Sequence, residues 1–129
     1  MAAAVVDLPM IALLLLAALQ AGTGTVFSRF DVANPDPRLA CAPSRVIDDR
    51  SFVVAHPSLP CRSRVWLYNP RTGRATVGVV MDRGPVHALV DMSPATAHAL
   101  RHNGMERVII VPLPTVEKHT RKRSTEPVT

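Results

Sequence analysis

The chain has 129 residues, a formal charge of +5 and a pI near 10.2, enough for one domain and no more. Aromatic residues make up only 4% and there are 12 prolines, which argues against a helical bundle and for short elements separated by turns. The charge is compatible with anionic wall polymers, lipid surfaces or nucleic acid, and does not choose among them.

The first segment, Leu8 to Leu19, reads LPMIALLLLAAL. It is short for a membrane-spanning helix, which needs roughly 20 apolar residues. It fits the apolar core of a secretory signal, with small residues near a cleavage point after Ala21. No Lys or Arg precedes it and Asp7 is acidic, so an uncleaved anchor and a buried structural helix stay open. Residues 1–24 are therefore assigned to export or anchoring, 25–114 to the folded domain, and 115–129 to a basic, disordered tail. The tail carries Lys118, Arg121, Lys122 and Arg123; it reads as a solvated end, and no nucleic-acid partner is expected.

Residues 26–32 (VFSRFDV) alternate and predict the first strand. Residues 33–50 are rich in Pro and Asp and read as loop. Phe52, Val53 and Val54 form a short apolar run ending at His56-Pro57. Arg64 to Asn69 (RVWLYN) is the clearest strand, Asn69-Pro70-Arg71-Thr72-Gly73 a turn, and Arg74 to Met81 the β-branched return strand of a hairpin. Asp82-Arg83-Gly84-Pro85 breaks that strand, and Val86 to Val90 predicts another. Ser93 as N-cap and Pro94 in the first turn start one helix, PATAHALRH, which Asn103-Gly104 stops. Arg107 to Val111 is the last strand.

A folded part of this size often needs a staple. Cys41 and Cys61 are an even pair in a chain expected to be exported, which points to a disulfide; two free thiols are the alternative. Neither clusters with other Cys or His at metal-ligand spacing, so no metal and no cofactor is expected. His98, His102 and Glu106 are spaced four apart, but the helix stops before Glu106.

In order along the chain stand Ala55-His56, Leu59-Pro60, Asn69 with Gly73, Asp82-Arg83-Gly84-Pro85 and Val90-Asp91-Met92-Ser93. This series, between His56 and Val111, resembles the double-psi β-barrel domain of the rare lipoprotein A family of bacterial cell-wall proteins. The resemblance implies a mainly β fold: a small six-stranded double-psi barrel with one short helix. It implies an envelope protein, periplasmic, extracellular or membrane-anchored, that cleaves or binds the glycan strands of peptidoglycan. Some members resemble lytic transglycosylases; others, like the related barrel of plant expansins, bind or loosen wall polysaccharide without clear hydrolysis. Fold does not fix function.

Asp82 is the expected general acid. It follows the apolar run Val77 to Met81, so its carboxyl should emerge partly desolvated at a strand end, with a raised pKa. The competing reading is a turn cap. The resemblance casts His56 as a second groove residue and Arg83 and Gly84 as substrate contacts. Trp66 and Tyr68, two apart on one strand face, form either a sugar-stacking platform or hairpin packing. Asp91 reads as a support of the helix start. Two positions depart from the family pattern. Arg45 stands eleven residues before His56, where a Glu is usual, and Phe27-Ser28-Arg29-Phe30 replaces a Trp-Tyr-Gly segment.

Overall fold

A computed structural model describes residues 19–28, 36 and 38–114. The export or anchor segment up to residue 18, most of the strand expected at 26–32, and the tail from 115 lie outside the described residues.

Six strands close a barrel in the order β1-β7-β4-β6-β5-β8, where β1 is Gln20–Val26, β4 Val53–Ala55, β5 Arg64–Asn69, β6 Arg74–Asp82, β7 Val90–Met92 and β8 Met105–Pro112. β1 runs parallel to β7 and β4 parallel to β6; the other neighbours are antiparallel. A separate hairpin, β2 (Arg38–Leu39) and β3 (Ala42–Val46), forms within the stretch expected to be loop. The one helix of the described residues, α1 (Pro94–Ala99), follows β7. No described helix is long and apolar enough to cross a membrane.

The barrel interior follows from strand alternation. Val65 and Leu67 of β5, Val80 of β6, Val90 and Met92 of β7, and Val108 and Ile110 of β8 are all fully buried. Leu100, after α1, belongs to the same buried cluster. A smaller core lies between the hairpin and the barrel, built from Phe27, Leu39, Ala42, Ile47 and Ala55, with Met81 packed against it.

Three further expectations are corrected. The first strand is Gln20–Val26 rather than 26–32, so residues 20–24, assigned above to the export segment, belong to the barrel. A cut after Ala21 would remove Gln20, which pairs with Ile110. The inward positions of β1 include Gly22 and Gly24, so no apolar alternation announces it. A Cβ at Gly24 would lie 2.9 Å from Met92 Cε and 3.0 Å from Val108 Cγ2; at Gly22 it would meet Leu89 Cβ at 2.9 Å. Gly24→Ala is expected to lower stability by about 1–3 kcal/mol, the usual cost of overpacking, because the Met92 tip can swing aside but the two methyls of β-branched Val108 cannot; urea denaturation measures it.

The strand expected at 86–90 begins only at Val90, because the preceding residues run as bends whose Leu89 N–H reaches Thr23 O at 2.9 Å. The helix ends at Ala99, before the expected His102. Asn69 Nδ2 and Thr72 Oγ1 both donate to Leu100 O, at 3.0 and 2.7 Å, and Arg101 turns the chain at φ 47°. The predicted N-cap holds: Ser93 Oγ accepts the Thr96 N–H at 3.4 Å and also the Val53 N–H at 3.2 Å, tying α1 to β4.

Candidate functional site

Cys41 and Cys61 are bonded, with Cα atoms 5.5 Å apart. The bond joins the β2–β3 turn to the loop after His56. Structural disulfides persist where thiols are not kept reduced, which supports an exported protein. Beside the bond, Asp82 ends β6 and is half-buried. Its Oδ1 accepts the Ala40 N–H at 3.0 Å and the Arg83 N–H at 2.9 Å. These are the contacts of a residue that holds the hairpin turn to the barrel.

His56 follows β4 and is 3% exposed. Its Nδ1 accepts two N–H groups, from Ser58 at 3.1 Å and Leu59 at 3.0 Å. That nitrogen therefore carries the lone pair, the proton sits on Nε2, and Nε2 donates to Gln20 Oε1 at 3.1 Å. Burial, then the Arg83 charge, push its pKa below the ordinary histidine value. The sign follows. Below about pH 6.5 the unfolded chain takes up a proton that the folded chain refuses, so stability falls as pH drops until the lowered folded pKa is passed. His56→Asn keeps an acceptor near the Nδ1 position and removes the titration. Its unfolding free energy is expected to lose this acid-dependent component, measured as the difference from wild type between pH 7.5 and 5.

Arg83, the expected substrate contact, is turned onto the protein. Nη1 donates to His56 O at 3.0 Å and Leu59 O at 2.6 Å, and Nη2 lies 3.3 Å from Cys61 Sγ. Gly84 adopts φ +101°, a conformation that glycine tolerates without strain, and precedes a cis Pro85. His56, Asp82 and Arg83 lie together, with the backbone N–H of His56 donating to the backbone carbonyl of Asp82 at 3.1 Å. Their polar atoms close a loop on itself. Asp91 accepts Thr25 Oγ1 at 2.9 Å, tying β7 to β1.

Trp66 and Tyr68 stand elsewhere, on the outer face of β5. Their rings are stacked, nearly parallel at 5° with centroids 5.6 Å apart, and both are half-buried. Val77 and Val111 flank Trp66, and Ala75 and Ile109 flank Tyr68. His98 is exposed, while His102 Nδ1 accepts the Gly104 N–H at 3.0 Å; among the described residues no three His, Cys, Asp or Glu side chains gather as metal ligands.

Sequence reasoning missed one feature. The hairpin, the loop that follows it and the outer face of β6 enclose an open groove of about 1200 Å³. Arg45 and Arg50 line it together with the exposed Phe52 and Val46. The Arg45 departure from the family pattern was the available signal.

Solved structures with this architecture include the following two. A papain inhibitor from Streptomyces superposes with a TM-score of 0.54 at 21% identity, over 74% of this chain and 94% of that one. Cerato-platanin 3 from M. perniciosa gives 0.53 at 12% identity, over 74% and 95%. The likeness is one of fold. It supports the small double-psi barrel expected from the sequence and does not reach the rare lipoprotein A family itself. No family model and no curated protein matches this chain.

Proposed function

We propose that this protein is a non-catalytic binding module of the bacterial cell envelope that holds the glycan strands of peptidoglycan. The observation that carries the reading is the stacked Trp66–Tyr68 pair on an outward strand face, bordered by apolar side chains. An aromatic surface of this kind offers a broad apolar face to a sugar ring at little entropic cost. The hydrogen bonds of His56, Asp82 and Arg83 favour binding over cleavage, because each holds local backbone. The disulfide fits a periplasmic or extracellular site of action, with residues 1–18 as the exporting or anchoring segment.

The test is sedimentation with insoluble peptidoglycan, followed by mass spectrometry of the supernatant. Wild type and Asp82→Asn are expected to pellet alike, since Asn keeps the Oδ1 acceptor, and neither should release anhydro-sugar ends. Trp66→Ala is expected to bind about 30-fold more weakly, the scale of a central aromatic contact. Anhydro-sugar ends from wild type, lost in Asp82→Asn, would restore the lytic-transglycosylase reading with Asp82 as general acid. Retention on immobilised papain with none on the wall would replace the glycan by a protein partner.

A further inference from the structure

The groove and the aromatic pair lie on one continuous surface. Along β6 the buried Gly78 and Val80 alternate with Val77, Val79 and Met81, which point to the outside. Val79 and Met81 line the groove, while Val77 is the cross-strand neighbour of Trp66. Arg64 is the neighbour of Val79 and so stands on the same outer face, between the groove and Trp66. From Met81 to Ala75 the strand covers about 20 Å at roughly 3.3 Å per residue.

The charges along this path are unevenly committed. Asp48 and Asp49 line the groove too, but they serve the loop. Asp48 accepts the Arg50 N–H at 2.9 Å and Ser51 Oγ at 3.1 Å, and Asp49 accepts Ser28 Oγ at 2.8 Å. Arg45, Arg50 and Arg64 are exposed, and none of them enters a salt bridge among the described residues. A guanidinium in this state presents a fork of donors that matches a carboxylate.

We infer that the groove and the Trp66–Tyr68 pair are two ends of one binding track along the outer face of β6, and that its ligand is a carboxylate-bearing glycan strand several sugars long. Sugar faces rest on the ring pair, and acidic substituents of the same strand pair with Arg64, Arg45 and Arg50. This rests on the glycan reading above and adds to it the ligand's charge and its length. Phe52 and Val46 supply apolar contact at the groove end, where a substituent leaves the sugar chain.

Calorimetric titration of the full chain with soluble peptidoglycan strands tests this, using native strands and strands whose carboxyl groups are methyl-esterified. The double variant Arg45→Ala/Arg50→Ala is expected to bind native strands about tenfold more weakly, the combined worth of two exposed charge pairs, and to bind esterified strands like wild type. Arg45→Lys/Arg50→Lys should recover most of the loss, which separates charge from a folding defect. Trp66→Ala should weaken both ligands. Equal affinity of the double Ala variant and wild type for native strands would overturn the track, while a Trp66→Ala loss in the same series would leave the glycan reading standing. A Trp66→Ala protein that binds both ligands like wild type would remove the glycan reading itself. Polyglutamate is expected to compete weakly, through the arginines alone; polyglutamate that binds as tightly as native strands, and binds Trp66→Ala equally well, would overturn the glycan as occupant and assign the groove to acidic peptide.

Discussion

Replacing Cys41 and Cys61 together by serine is expected to lower the unfolding free energy by about 3 kcal/mol, the chain-entropy value for a loop of this length. The bond closes a separation of 20 residues. For a domain of this size that corresponds to a fall in melting temperature of about 12–24 °C. The bond also has local work. The Cys41 N–H donates to Met81 O at 3.0 Å and the N–H of Arg62, next to Cys61, to Val80 O at 2.6 Å, so the bond joins two segments held on adjacent carbonyls of β6. With the bond gone, the hairpin is held mainly by Asp82 and the small core around Phe27, Leu39 and Ile47. Thermal unfolding of the double variant, and of wild type with and without reductant, measures the effect. Equal melting temperatures in all three would show that the hairpin needs no staple.

Asn69→Asp is expected to cost about 3 kcal/mol or more at neutral pH, because it buries a charge among acceptors. Asn69 is fully buried at the end of β5. Its Nδ2 donates to Leu100 O at 3.0 Å and Glu106 Oε1 at 2.8 Å, and its Oδ1 accepts the Arg71 N–H at 3.1 Å. One amide thus ties the hairpin turn to the helix end and to β8. The Arg71 guanidinium, helped by Asn69 and the Asn103 N–H, holds the Glu106 carboxyl down to about 2, so Glu106 stays ionised across any ordinary pH. An Asp at position 69 would set a second carboxylate against it. Protonation of the new carboxyl relieves the clash, so the deficit should shrink as pH falls from 7 toward about 4.5. Urea denaturation at both pH values checks this. Asn69→Ala, which loses donors without adding charge, should cost about 1–3 kcal/mol with no comparable recovery in acid.

The elements legible in the sequence were those whose side chains announce their surroundings. The alternation in RVWLYN and the β-branched return strand identified β5 and β6, and the Asn69-to-Gly73 turn joined them, with Gly73 at φ +70°. Ser93 and Pro94 marked the helix start, and the ordered series from His56 to Ser93 pointed to the barrel. The cysteine pair was visible from its even count and the exported context.

What stayed hidden depended on partners far along the chain. β1 is a strand because Gly22 and Gly24 leave room for Leu89, Met92 and Val108, and glycine carries no hydrophobic pattern to read. The roles of His56, Asp82 and Arg83 turned on which backbone groups the closed barrel brought within hydrogen-bond reach: Ser58 and Leu59 for His56, Ala40 for Asp82, and the carbonyls of His56 and Leu59 for Arg83. Residue types alone admit both a catalytic and a structural reading of such a trio, because the same donors and acceptors can face substrate or chain. The groove arose where a hairpin predicted as loop folded against the outer face of β6, a long-range contact that local periodicity does not encode.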